Sequence, residues 1–162
     1  MVDFDRFVND STDGLLRTAY LIVWDLHDAE DLVQETLFKV ARRWRKVRRM
    51  DRPLAYARRI LVNQALDGSQ RRARARAELV EAQAPDAAID SVDPGDHDEL
   101  LRALKDLPPR QRAVLVLRFF LDLPEAEVAA AMGVSLGTVK STTSRGLARL
   151  EQTLSNDTRS IA

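Results

Sequence analysis

The segment from Glu125 to Arg145 reads Glu-Ala-Glu-Val-Ala-Ala-Ala-Met-Gly-Val-Ser-Leu-Gly-Thr-Val-Lys-Ser-Thr-Thr-Ser-Arg, and it admits few folds. Val128, Ala129 and Met132 fall on one face of a first helix. Gly133 supplies a residue tolerant of positive φ, which ends that helix. Val134 falls at the corner, and the Ser135 hydroxyl can cap a second helix by accepting a backbone N–H. Val139, Leu147 and Leu150 form the inward stripe expected of that helix. The spacing therefore predicts a helix-turn-helix. Its outward face carries Gly137, Thr138, Lys140, Ser141, Ser144 and Arg145. A helix seated in a major groove needs such a surface, with short side chains near bases and cations near phosphates. An ordinary helical hairpin with a glycine turn would share part of the pattern. Ala129, Gly133 and Val134 in one register favour DNA binding.

The formal net charge is zero, from 25 basic and 25 acidic residues, but the charges are segregated. Residues 39–76 hold fourteen Lys/Arg against two Asp/Glu, a surplus of twelve positive charges. Residues 1–38 and residues 77–107 each hold two basic against nine acidic residues, a deficit of seven. Blocks of this kind point to different partners for different segments, and the basic block suits nucleic acid. The absence of cysteine excludes a disulfide frame and thiolate metal sites, and it fits a reducing compartment. No apolar run approaches the roughly 20 residues of a membrane span. The start of the chain, with Asp3 and Asp5, has no signal-peptide pattern, so a soluble cytoplasmic protein is expected.

Helical periodicity dominates the rest of the chain, and the expected class is all-α. Phe4, Phe7, Leu15, Leu16, Ala19, Tyr20, Ile22 and Val23 predict one or two helices over residues 3–25. A second helix is expected to begin at Asp28 as N-cap, with Leu32, Leu37, Val40, Ala41 and Trp44 inward and a Glu35–Lys39 pair on its surface. After the basic stretch 45–52, Pro53 opens a helix to about residue 75, with Leu54, Ala57, Leu61 and Ala65 inward and Arg59, Asn63, Asp67 and Gln70 opposite. Residues 77–97, rich in Asp with Pro85, Pro94 and Gly95, predict a flexible acidic linker. Helices over 98–107 and 110–121 follow, the second with Val114, Leu115, Leu117 and Phe119 as core. The helix-turn-helix completes the unit, and fraying is expected from Ser155 onward. The expected organisation is thus two small helical domains, 1–76 and 98–155, joined by 77–97 and ending in a tail 156–162.

Catalytic chemistry finds no support. His27 and His97 are the only histidines, and neither has a motif neighbour. There is no phosphate-cradling glycine loop and no His-Glu-x-x-His pair. The acids Asp28, Glu30, Asp31 and Glu35 read as a helix start complementing the dipole rather than as a metal site. No enzyme activity, cofactor or metal is expected.

Three segments together resemble a known family. Asp28-Ala-Glu-Asp-Leu-Val-Gln-Glu-Thr-Leu-Phe-Lys-Val-Ala-Arg-Arg-Trp44 resembles region 2.2 of bacterial sigma factors, the helix that binds core RNA polymerase. Leu54 to Arg72, with Asn63-Gln-Ala-Leu-Asp67, resembles region 2.4, which reads the −10 promoter element. Leu107-Pro-Pro-Arg-Gln-Arg-Ala-Val-Leu115, followed by Val128 to Leu150, resembles region 4, whose helix-turn-helix reads the −35 element. Order and spacing are similar to those of extracytoplasmic-function sigma factors, the compact members carrying domains 2 and 4, and of the actinobacterial type in particular.

The resemblance implies promoter-specific transcription initiation. It implies contact with the β and β′ subunits of core polymerase through Asp28, Asp31, Leu32, Gln34, Glu35 and Phe38. It implies −10 contacts from Arg58, Arg59, Asn63, Arg71 and Arg72, with Asn63 as a base reader because an amide both donates and accepts. It implies −35 contacts from Gly137, Thr138, Lys140, Ser141, Ser144 and Arg145, and an anti-sigma factor as a further partner. The stretch 45–52 departs from the pattern in having no aromatic residue; only Trp44 and Tyr56 flank it. Two other readings stay open on the residues themselves: a stand-alone helix-turn-helix regulator, and a helical protein-interaction module. The linker is equally compatible with a plain spacer and with a nucleic-acid mimic in the polymerase channels.

Overall fold

A computed structural model describes residues 3–68 and 96–161, and among them every regular element is helical. The order is α1 (Phe4–Val23), α2 (Leu26–Arg42), α3 (Trp44–Val47), α4 (Pro53–Asp67), α5 (Asp96–Lys105), α6 (Pro109–Leu115), α7 (Glu125–Met132) and α8 (Leu136–Ile161). A single π-turn, Val116–Phe120, extends α6. The expected helix end beyond Asp67, the acidic segment 77–95, and Gln70, Arg71 and Arg72 lie outside the described residues.

The first half is a bundle of α1, α2 and α4. Phe7, Leu15, Ala19, Ile22 and Val23 of α1 are buried as their spacing predicts. Trp24 closes the helix in the left-handed region at φ 57°, its N–H bonding the Tyr20 carbonyl at 2.7 Å. The next helix starts at Leu26, not at Asp28. Its cap is Asp25, whose carboxylate accepts the Asp28 N–H at 2.9 Å. Asp28 is therefore the residue whose N–H is capped, not the residue that caps. Leu32, Val33, Thr36 and Val40 form the inward stripe of α2, whereas Ala41, one step round the helix, faces solvent. Beyond α2 the Trp44 ring packs on Phe4 and Phe7, with centroids 5.3 and 5.2 Å apart. Pro53 occupies the first turn of α4, and Ala57, Leu61, Val62 and Ala65 are buried, while Leu54 is exposed.

The second half is built from α5 to α8. Leu104, Leu107, Val114, Leu115 and Leu117 are buried. Phe119, expected in the core, is 52% exposed. The physical reason is the π-turn: the Leu121 N–H bonds the Val116 carbonyl at 3.1 Å, five residues back. The extra residue in that turn rotates Phe119 and Phe120 outward. Leu147 is likewise 42% exposed rather than inward. The residue facing the core beside it is Gly146, whose missing Cβ lets α8 approach Leu115 of α6. The chain beyond Ser155 continues as helix to Ile161 instead of fraying.

The two halves meet. Helix α7 lies along α4, and α6 with its π-turn lies against α1, so one apolar core runs through both. Arg112 of α6 adds a polar tie. Its guanidinium donates to the carbonyls of Leu104, Lys105 and Leu107 at the end of α5, at 3.2, 2.8 and 2.8 Å. It also donates to the Ile22 carbonyl near the end of α1. Two helix C-termini, whose carbonyls carry partial negative charge, thus converge on one cation.

Candidate polymerase and nucleic-acid interfaces

Three surfaces carry the expected functional residues. On α2, the acid cap and inward stripe fix the rotation of the helix, so Asp28, Asp31, Glu35 and Phe38 run in one line along its outer side with Gln34 beside them. Asp31, Gln34, Glu35 and Phe38 are exposed, and Asp28 is half-buried. Phe38 is 64% exposed with the Arg42 guanidinium 5.9 Å from its ring centre. Lys39 pairs with Glu35 at 3.7 Å, as the spacing predicts. Leu32 does not belong to this surface. It is 8% exposed and packed inward, because it lies one step round the helix from Asp31. Phe38 is thus a single exposed apolar ring on this face, between the Glu35–Lys39 pair and Arg42.

The basic segment is held from below. Val47 is fully buried and Met50 packs against the core, which leaves Arg43, Arg45, Lys46, Arg48, Arg49 and Arg52 in solvent. On the adjoining α4, Arg59 is exposed and Asn63 is partly exposed. Arg58 is half-buried. Burial pushes its pKa below the usual guanidinium value, and the nearby charge of Glu127 pulls the other way. It remains a cation at neutral pH. Arg71 and Arg72 are among the residues not described.

The helix-turn-helix has the expected turn chemistry. Gly133 sits at φ 66°, and the Val134 N–H returns to the Ala129 carbonyl at 3.1 Å. Ser135 Oγ accepts the Thr138 N–H at 3.1 Å and lies 2.9 Å from the Thr138 hydroxyl. On α7 the buried residues are Val128, Ala131 and Met132, with Ala129 at the margin. Val139 is fully buried, so the opposite side of α8 presents Gly137, Thr138, Lys140, Ser141, Ser144 and Arg145, all exposed. Leu136, also exposed at the head of the helix, extends this surface and was not foreseen.

Two ion pairs were also not foreseen. Arg52 pairs with Glu127 of α7, and Lys140 lies 3.9 Å from Glu125. The acids were visible in the sequence, but Arg52 and Glu127 are 75 residues apart and nothing local announces their contact. Among the described residues no group of acids or histidines is arranged to hold a metal ion, and no helix is long and apolar enough to cross a membrane.

Comparison with known proteins decides among the three readings left open by the residues. The family described as Sigma-70 region 2 matches residues 7–76, and that described as Sigma-70, region 4 matches residues 97–150. The RNA polymerase sigma-E factor of Streptomyces avermitilis is 39% identical over 95% of this chain and 86% of its own length. The chain is a sigma factor of the extracytoplasmic-function group. The sigma factor SigE of Mycolicibacterium smegmatis is 34% identical over 95% of the chain and 62% of its own length. The likeness extends to three dimensions. The sigma factor RpoE of Bartonella quintana, solved with the anti-sigma factor NepR, matches with a TM-score of 0.75 at 26% identity, covering 94% of this chain and 97% of that one. CnrH, solved with the cytosolic domain of CnrY, matches with a TM-score of 0.64 at 25% identity, covering 95% and 88%. As a sigma factor the chain serves transcription initiation by RNA polymerase and catalyses no reaction itself.

Proposed function

We propose that each of the three surfaces serves one step of initiation. The line Asp28, Asp31, Gln34, Glu35 and Phe38 on α2 docks on core polymerase, with Phe38 as apolar anchor and the acids setting orientation. Leu32 contributes by holding α2 in place from inside. The basic segment and α4 meet the −10 element, where Arg58, Arg59, Arg71 and Arg72 neutralise phosphate and Asn63 reads a base. The outward face of α8 meets the −35 element. Lys140 and Ser141 lie at the groove floor with Gly137, Thr138 and Ser144 around them, and Arg145 contacts mainly phosphate.

The observation that supports this most is on α8. Six small, polar or cationic residues are exposed on the side opposite Val139, on a helix whose N-terminus is capped by Ser135. Residues 1–76 and 98–155 act as two units joined by 77–97, in the cytoplasm. An anti-sigma factor is a further partner, in line with the complexes in which the similar RpoE and CnrH were solved. A gel shift with promoter DNA tests the reading, run with the chain alone and with core polymerase added. The sigma reading predicts a sequence-specific shift that needs polymerase. A specific shift by the chain alone as a dimer would favour a stand-alone regulator, and no shift in either case would favour an interaction module.

A further inference from the structure

The head of α8 differs from the rest of its outward face. Ser135 Oγ accepts the Thr138 N–H at 3.1 Å and lies 2.9 Å from the Thr138 hydroxyl, so the polar groups on either side of the first turn answer each other. Between them stand Leu136, 45% exposed, and Gly137, also exposed. A single exposed leucine is ordinary on most surfaces. Here it opens the helix whose N-terminal residues meet base edges when a helix-turn-helix docks in a major groove.

Gly137 supplies a second, independent observation. Its φ lies outside the left-handed region, and a Cβ at this position would meet only Ser135 Oγ, at 3.9 Å, an ordinary contact. Neither the backbone nor the packing of the described residues requires glycine here. Glycine nevertheless weakens a helix relative to alanine, because it loses more conformational freedom on folding. Gly146, further along the same helix, is explained by the nearness of Leu115; Gly137 has no such neighbour. A glycine that the fold does not need, on a face turned to a ligand, suits the close approach of a foreign surface.

We propose that Leu136 is a specificity-determining residue of the −35 contact: it packs on the C5-methyl of a thymine, and Gly137 gives the clearance that brings it there. Thymine is the base that fits, since of the four bases it alone presents an apolar group in the major groove. The amino group of a cytosine, or the acceptors of a guanine, would meet a side chain that cannot pair with them. The inference rests on the promoter-binding reading of α8 above. Such a contact is worth about one buried methyl-sized group, a preference of about four-fold.

The test uses reconstituted holoenzyme and the −35 element that it selects from a randomised library, in duplexes where one thymine at a time is replaced by uracil. Uracil lacks only the methyl and keeps every hydrogen-bonding group of thymine. Native holoenzyme should bind one of these duplexes about four-fold more weakly than the all-thymine duplex. Leu136→Ala should bind the two equally, with unchanged helical circular dichroism. A selected element without thymine, the lack of any uracil-sensitive position, or the same uracil effect in Leu136→Ala would overturn the proposal.

Gly137→Ala reads the clearance. The free chain should unfold at a urea concentration equal to or above the native one, since helix propensity rises and nothing in the chain is crowded. Its holoenzyme should nevertheless bind the thymine duplex at least about four-fold more weakly, and the uracil difference should shrink. Native binding with a native uracil difference, or a loss of stability in the free chain, would overturn the clearance argument. A duplex with a scrambled −35 element separates this proposal from the reading beneath it. If native holoenzyme binds the scrambled and selected duplexes alike, the promoter-binding reading fails as well. If it discriminates between them while uracil has no effect, the thymine-methyl proposal alone fails.

Discussion

Gly146 of α8 crosses Leu115 of α6 so closely that a Cβ at position 146 would stand 3.3 Å from Leu115 Cδ1 and 3.4 Å from Cγ. The crossing sets the rotation of α8. With Gly146 inward beside Val139, the face bearing Lys140, Ser141 and Ser144 must point outward.

This contact predicts a graded response. Gly146→Ala adds about 1 kcal/mol of helix propensity but pushes on the flexible end of Leu115, so the net change in unfolding free energy should stay within about 1 kcal/mol. Gly146→Val cannot be absorbed at that spacing and should cost about 1–3 kcal/mol. Urea unfolding followed by circular dichroism measures both. Equal stability of the two variants would mean that the helices can part here without cost.

The start of α2 gives a second prediction. Asp25→Ala removes the side chain that accepts the Asp28 N–H and should destabilise the chain by about 0.5–2 kcal/mol. Asp28→Ala removes only a first-turn charge and should cost about 0.3–1 kcal/mol, less still at high salt. Thermal unfolding at two salt concentrations separates them. A larger loss for Asp28→Ala would return the cap to Asp28.

What the sequence made legible was local chemistry. Gly133 and Ser135 announced the turn, because positive φ and an N-cap depend on a few adjacent residues. Pro53 marked the start of α4 for the same reason. The errors arose where a second arrangement satisfied the same local rule. Asp25 and Asp28 both fit an N-cap, and the choice depends on how Trp24 ends α1. Phe119 and Leu147 both fit an inward stripe at ordinary helical period. The π-turn changes that period for Phe119, and Gly146 takes the inward place beside Leu147. On the surfaces, the exposed residues of α8 were readable from periodicity, whereas the α2 line came from the family resemblance, and the inward position of Leu32 was already set by its spacing. Arg52–Glu127 was not readable, since it depends on how α7 lies along α4, and no local pattern encodes the packing of two bundles.

The α2 surface yields a prediction about assembly. Asp31→Arg with Glu35→Arg reverses two exposed charges beside Phe38 without touching the core. The helical circular dichroism should be unchanged, and capture by core polymerase should fall by at least tenfold, mainly through faster dissociation and lost steering. Phe38→Ala should weaken capture as well, because it removes the apolar anchor. Native capture by the double variant would move the docking face elsewhere.

The central claim is that α8 reads DNA, and the most direct measurement is transcription by reconstituted holoenzyme on a library of randomised −35 elements at several salt concentrations. Lys140→Ala should cost about 1–3 kcal/mol on preferred sites and relax the choice of base at one position. Arg145→Ala should lower output from every promoter alike, keep their ranking, and reduce the salt slope by about one. Native output and native ranking in both variants would contradict the account, because a helix that meets the −35 element through this face cannot lose both side chains unnoticed.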